Sequence, residues 1–135
     1  MYLIDTDTIS NLLKPRPSAA LIVKVATVAV EYQFISSITL GELVYGAHRV
    51  PERSVHLLRL LDDLLLPNLR ILPFEASAAR HYGQVRADLE RRGLPIGDAD
   101  LRIAAVALVH NLTVVTRNIR HFERVPGLTV ENWIE

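Results

Sequence analysis

The stretch "DADLRIAAVALVHNLTVVTRN", residues 98–118, decides the fold. Its first part is so dense in Ala, Leu, Ile and Val that it reads as a buried helix, opened by two acids, Asp98 and Asp100. After Asn111 the run "LTVVT" is short, apolar and β-branched, which reads as a strand. Working outward, the same alternation recurs. "MYLID", "QFISS" and "LRILPF" are short strand candidates, and "GLTVEN" is a weak one suited to an edge. Between them stand helical stretches: "TDTISNLLK", with Asp7 or Thr8 as the expected N-cap; "SAALIVKVATVAVEY"; "ITLGELVYGAHRV"; "ERSVHLLRLLDDLLL", stopped by Pro67; and "EASAARHYGQVRADLERRG", with Gly93 as its expected C-terminal cap. Short apolar strands alternating with helices predict an α/β fold, a parallel sheet of four to five strands covered on both faces. No repeat or linker divides residues 1–135, and the length suits one domain.

Composition narrows the chemistry. Without cysteine, thiolate metal sites and cysteine nucleophiles are excluded, so any metal site must use oxygen or imidazole ligands. The net charge is zero, so no whole-molecule field draws nucleic acid, although thirteen of the fifteen basic residues are arginines, which suit phosphate contacts. The opening "MYLIDTDTIS" lacks the pattern of a secretory signal, and no apolar run reaches membrane-spanning length. The expectation is a soluble cytoplasmic protein with no membrane partner.

In open parallel sheets, ligands bind outside the carboxyl ends of the strands at a topological switch point. Asp5 closes the first strand. Glu42 lies early in the helix after the second. Asp98 and Asp100 open the helix that runs down to the fourth strand, and Thr116, Arg117 and Asn118 follow that strand. All therefore converge on one rim. Each acid also has a plain local reading: Glu42 stands three residues after Thr39, as in a capping box, Asp98 could be an N-cap, and Asp7 is better read as a cap than as a ligand. The shared placement is harder to explain locally, because clustered carboxylates repel unless cations or protons neutralise them. Oxygen-only ligands favour Mg²⁺ or Mn²⁺, which bind substrate phosphates and activate water, so the pattern points to metal-assisted hydrolysis of a phosphodiester. His121 is read as structural or merely exposed. Arg102, Arg117 and Arg120 are the candidates to bring substrate phosphates to an acid pocket.

"LIDTDTIS", "ISSITLGELVYGA", "GLPIGDADLRIAAVAL" and "VVTRNIRHFERVPGLTVENW" resemble, in order, the blocks of PIN-domain ribonucleases, nearest to the VapC toxin branch of bacterial toxin–antitoxin modules. The resemblance spans essentially the whole chain. It implies a three-layer α/β/α sandwich with strand order 3-2-1-4-5 and Mg²⁺- or Mn²⁺-dependent cleavage of RNA, often structured RNA such as tRNA. It further implies a cognate antitoxin partner and, commonly, a homodimer. It places the catalytic, metal-binding acids at Asp5, Glu42 and Asp100, with Asp98 as an additional candidate ligand and Thr116 and Asn118 in support. Two departures stand out: Asp7 replaces a frequent Asn, and Asn118 occupies the place of a frequent fourth acid. An apolar surface for the antitoxin is sought on "HLLRLLDDLLL". The rival readings are a weakly catalytic binding module on the same fold and a DNA-directed nuclease of the superfamily. A phosphoacceptor receiver domain would need a lysine after a late strand, and the only lysines are Lys14 and Lys24.

Overall fold

The computed structural model describes residues 1–135. Five parallel strands form one sheet: β1 Tyr2–Ile4, β2 Gln33–Ser36, β3 Arg70–Leu72, β4 Thr113–Val115 and β5 Val130–Glu131, in the order β3-β2-β1-β4-β5. The helices are α1 Thr6–Leu12, α2 Ala19–Thr27, α3 Ser37–His48, α4 Ser54–Leu60, α5 Ala76–Arg91, α6 Asp98–His110 and the short α7 Ile119–Phe122. The expected architecture and strand order are present, with β5 a two-residue edge strand. No helix is long and apolar enough to cross a membrane.

Strand periodicity sorts the core into two layers. Leu3, Phe34 and Val114 are aligned across β1, β2 and β4 and face a cluster with Leu89 of α5, Leu101, Ile103 and Val106 of α6, and Phe122 of α7. Their neighbours Ile4, Ile35 and Val115 face the other way, onto Ile9 of α1, Leu21 of α2, Leu43 of α3, Leu61 and Trp133. Both faces of the sheet are thus covered, which is why its strands read as continuous apolar runs.

Several helix ends differ from the sequence expectation. The helix expected from Ser18 to Tyr32 stops at Thr27, and a 3-10 turn, Val30–Tyr32, leads into β2. The buried Gln33 side chain ends it, donating to the carbonyls of Val25 and Val28 at 3.0 and 2.9 Å. The leucine-rich helix runs as α4, then a π turn over Leu61–Leu65, then a 3-10 turn over Leu66–Asn68 that contains Pro67. Among its leucines only Leu61 is fully buried, and Leu64 is exposed.

The end of α5 is as expected. Gly93 has φ +69°, its N–H donates to the Glu90 carbonyl at 3.1 Å, and Leu94 N–H reaches back to the Leu89 carbonyl at 2.9 Å. This pair of bonds is the Schellman arrangement, and the left-handed residue it needs is glycine at least cost. A Cβ at position 93 would meet no neighbour, so only the backbone conformation opposes a side chain. Gly93→Ala is expected to lower stability by about 1–2 kcal/mol, measured by urea denaturation, with an unchanged m-value.

A carboxylate cluster at the sheet rim

Asp5 follows β1 directly, and its N–H continues the ladder to the Val115 carbonyl at 2.9 Å. It is the N-cap of α1, not Asp7 or Thr8 as the sequence suggested: its Oδ1 accepts from Thr6 N–H at 2.6 Å. The chain turns from strand to helix at this residue (φ −72°, ψ 160°), leaving Asp7 inside the first helical turn. Asp5 is only 1 % exposed. Its Oδ2 accepts from the Thr116 hydroxyl at 2.7 Å, and Thr116 Oγ1 in turn accepts from Asn118 N–H at 2.9 Å.

Glu42 is in the second turn of α3. The capping-box reading fails, because Ser36 caps this helix, its Oγ accepting from Thr39 N–H at 3.1 Å. The Glu42 carboxylate instead accepts from the Thr6 hydroxyl at 2.6 Å, a bond between α3 and the first residue of α1. Asp100, in the first turn of α6, accepts from Asn118 Nδ2 at 3.3 Å. Asp5, Glu42 and Asp100 are therefore joined through Thr6, Thr116 and Asn118 into one network drawn from four segments.

The electrostatics match that geometry. Burial pushes the Asp5 carboxyl up to about 7, opposed by the Thr116 hydrogen bond and reinforced by the charges of Asp7 and Asp100. Asp100 is raised in the same way, first by burial and then by Asp7 and Glu42, while His121 and Asn118 pull it down. Two residues discounted in the sequence thus belong to the site's surroundings. Asp7 acts on both Asp5 and Asp100 through its charge. His121 Nδ1 lies 2.7 Å from Asn118 Nδ2 and 3.9 Å from Asp100, one turn along α7. The signal for His121 was its spacing of three from Asn118, which is useful only once α7 is known to be helical.

Asp98 behaves differently. It is the first residue of α6, Gly97 holds the N-cap position, and its side chain caps nothing. It turns to α5, accepting from the Tyr82 hydroxyl and from Arg102 Nε at 2.9 Å, with Arg86 at 3.7 Å. The Tyr82 hydrogen bond, with both arginines, holds its carboxyl below the usual range. The structure does not bring Asp98 together with Asp5, Glu42 and Asp100. Arg102 is engaged with Asp98, whereas Arg117 and Arg120 are exposed and form no salt bridge.

A parallel sheet with this strand order, carrying acids at its switch point, is the frame of the PIN-fold nucleases. Residues 2–128 match the PIN domain family, and the chain belongs to it. It is 38 % identical to the tRNA(fMet)-specific endonuclease VapC of Salmonella typhimurium over 134 residues, 98 % of this chain and 97 % of that one. It is 37 % identical to ribonuclease VapC2 of Rickettsia felis, covering 98 % of each. The solved structure of FitAcB from Neisseria gonorrhoeae superposes with a TM-score of 0.90 at 34 % identity, over 98 % of this chain and 97 % of that one.

The raised carboxyl of Asp5 has a consequence for folding. Without metal, the folded state binds a proton more tightly than the unfolded state between its ordinary value of 3.8 and about 7. Stability should therefore fall as pH rises through that window. Asp5→Asn keeps a good N-cap and removes the buried charge. It is expected to be more stable than the parent at pH 8 by on the order of 1–3 kcal/mol, with the difference vanishing towards pH 4. Thermal unfolding across pH in a chelator-containing buffer reads this directly.

Proposed function

We propose that the protein is an endoribonuclease that acts as the toxin of a toxin–antitoxin pair and depends on Mg²⁺ or Mn²⁺. The observation that carries the reading is the connected network of Asp5, Glu42 and Asp100, two of whose carboxyls are pushed up by burial and by one another's neighbourhood. The relatives' names, endonuclease and ribonuclease, agree with it.

The donor set fits a hard divalent cation, since every candidate ligand is a carboxylate oxygen. No three acidic or histidine side chains stand close enough together to hold an ion directly. In this arrangement the carboxylates would reach an ion partly through its own waters, several of which Mg²⁺ typically keeps. When bound, such an ion polarises a phosphoryl oxygen and lowers the pKa of water. Asp5, Glu42 and Asp100 are the residues that would hold it.

The chain's own contribution is positioning. The Thr116 hydroxyl fixes Asp5, the Thr6 hydroxyl fixes Glu42, and the Asn118 amide orients Asp100. Arg117 and Arg120, exposed beside β4 and free of acid partners, supply local attraction for an RNA backbone that the acids alone would repel. Structured RNA, tRNA among it, is the substrate class suggested by the Salmonella relative's name. The antitoxin partner is suggested by solved complexes of relatives, among them a DNA-bound VapBC from Salmonella typhimurium. A groove of about 260 Å³, lined by Leu13 just after α1, Leu43 and Ala47 of α3, Leu57 of α4 and Leu61 of the π turn that follows it, reaches Glu42 and offers such a partner a path to the acids.

Asp100→Asn keeps the shape of the side chain and removes its charge. The variant should fold normally by circular dichroism and cut RNA at least roughly a hundredfold more slowly in Mg²⁺. Cleavage at the parental rate by the folded variant would refute the assignment.

A further inference from the structure

Arg102 lies two residues beyond Asp100 on α6, and its surroundings fix its direction. Its Nε donates to Asp98 Oδ2 at 2.9 Å. The guanidinium carbon sits 5.2 Å from the centre of the Tyr82 ring and 5.6 Å from that of Phe74. The two rings meet edge to face, with centroids 6.0 Å apart at 86°. Asp98 is itself held by the Tyr82 hydroxyl, which also accepts from Arg86 Nη1 at 2.8 Å. Phe74 is tied to the rim by its N–H, which donates to Ser37 Oγ, the first residue of α3, at 3.2 Å. Only Nε of Arg102 is used: neither Nη group donates within the chain, and the side chain is 40 % exposed.

An exposed ion pair contributes little to stability. What this arrangement does accomplish is to hold a planar guanidinium with its two-pronged Nη edge free. A fork fixed in advance binds phosphate with less loss of side-chain freedom than a mobile one. Asp98 and Arg102 are four residues apart and share a helix face, whereas Asp100 is turned from them toward the acid cluster. Phe74, against which the fork lies, follows β3 and is bonded to Ser37, which follows β2, so the fork stands at the carboxyl end of the sheet, the edge that also carries the acids.

We propose that Asp98, Tyr82 and Phe74 are positioning residues that aim the free Nη edge of Arg102 at an RNA phosphate neighbouring the one that is cut. This rests on the ribonuclease reading above. It gives Asp98 a role through Arg102 in place of a metal-ligand role, and it gives functions to Tyr82 and Phe74, which carry no motif.

Charge alone and positioning predict opposite signs for one substitution. Asp98→Asn removes a negative charge from the rim, which by simple attraction would tighten RNA binding. If Asp98 aims Arg102, binding should weaken instead. The test is binding of a fluorescein-labelled initiator tRNA transcript to the full chain, in an Asp5→Asn background that prevents cleavage, over a range of salt. Arg102→Ala should bind roughly tenfold more weakly, with the slope of log K against log salt reduced by about 0.7–0.9. Arg102→Lys should restore the slope but not the affinity, because it returns the charge without the fork. Asp98→Asn and Tyr82→Phe should lose affinity with the slope kept; Tyr82→Phe leaves the ring packing intact and guards against a folding artefact.

Equal or tighter binding by Asp98→Asn together with unchanged binding by Tyr82→Phe would overturn the proposal. So would a change confined to thermal stability or to oligomeric state. Absence of tRNA binding by the Asp5→Asn parent would instead bring down the ribonuclease reading itself, and this inference with it.

Discussion

Asp5 sits almost without water at the end of the central strand, in the field of Asp7 and Asp100, and its carboxyl is pushed up to about 7 as a result. A buried acid among acids is unfavourable for folding, and the surroundings do not remove the problem. Thr116 and the Thr6 N–H offer two hydrogen bonds to the carboxylate, yet burial outweighs them. The rest of the structure is arranged around that conflict. β4, beside β1, leads into Thr116 and Asn118, which steady Asp5 and Asp100, Thr6 after β1 steadies Glu42, and α1, α3 and α6 all begin at the same rim. In the proposed function a divalent cation resolves the conflict, which couples the cost of the site to its chemistry.

The strand order explains why the acids meet. From β1 the chain steps outward to β2 and β3 on one side, then crosses to β4 and β5 on the other. The switch point lies between β1 and β4, whose last residues lead directly into Asp5 and Thr116. Helices that leave this edge in opposite directions open a crevice there, and no other edge position collects side chains from so many segments. The arginines at the rim answer the second difficulty of such a site, which repels the anion it must bind. Arg117 and Arg120 lie free beside β4, while Arg102 is held against α5.

Sequence reading reached the sheet and the placement of Asp5, Glu42 and Asp100 at one rim because these depend on short-range periodicity and on which strand end each residue follows. It failed where the deciding partner is distant or chemically ambiguous. In "DTDT" every residue is a competent cap, and the choice of Asp5 follows from where β1 ends. Thr39 and Glu42 have capping-box spacing, but Ser36 reached the cap first, which freed Glu42 for Thr6. The direction of Asp98 is set by Arg102, one turn along the same helix, and by Tyr82, sixteen residues away on another helix, a partner that nothing near Asp98 announces. The end of α2 is likewise set by an amide from the following strand.

The central claim is that the raised carboxyls at the rim are brought back to their charged form by a divalent cation. Calorimetric titration of the metal-free protein with Mn²⁺ at pH 6.5, repeated in buffers of different ionisation enthalpy, tests it most directly. The account predicts saturable binding with net proton release, lost in Asp5→Asn. Binding without proton release, or no binding at all by the folded protein, would contradict it.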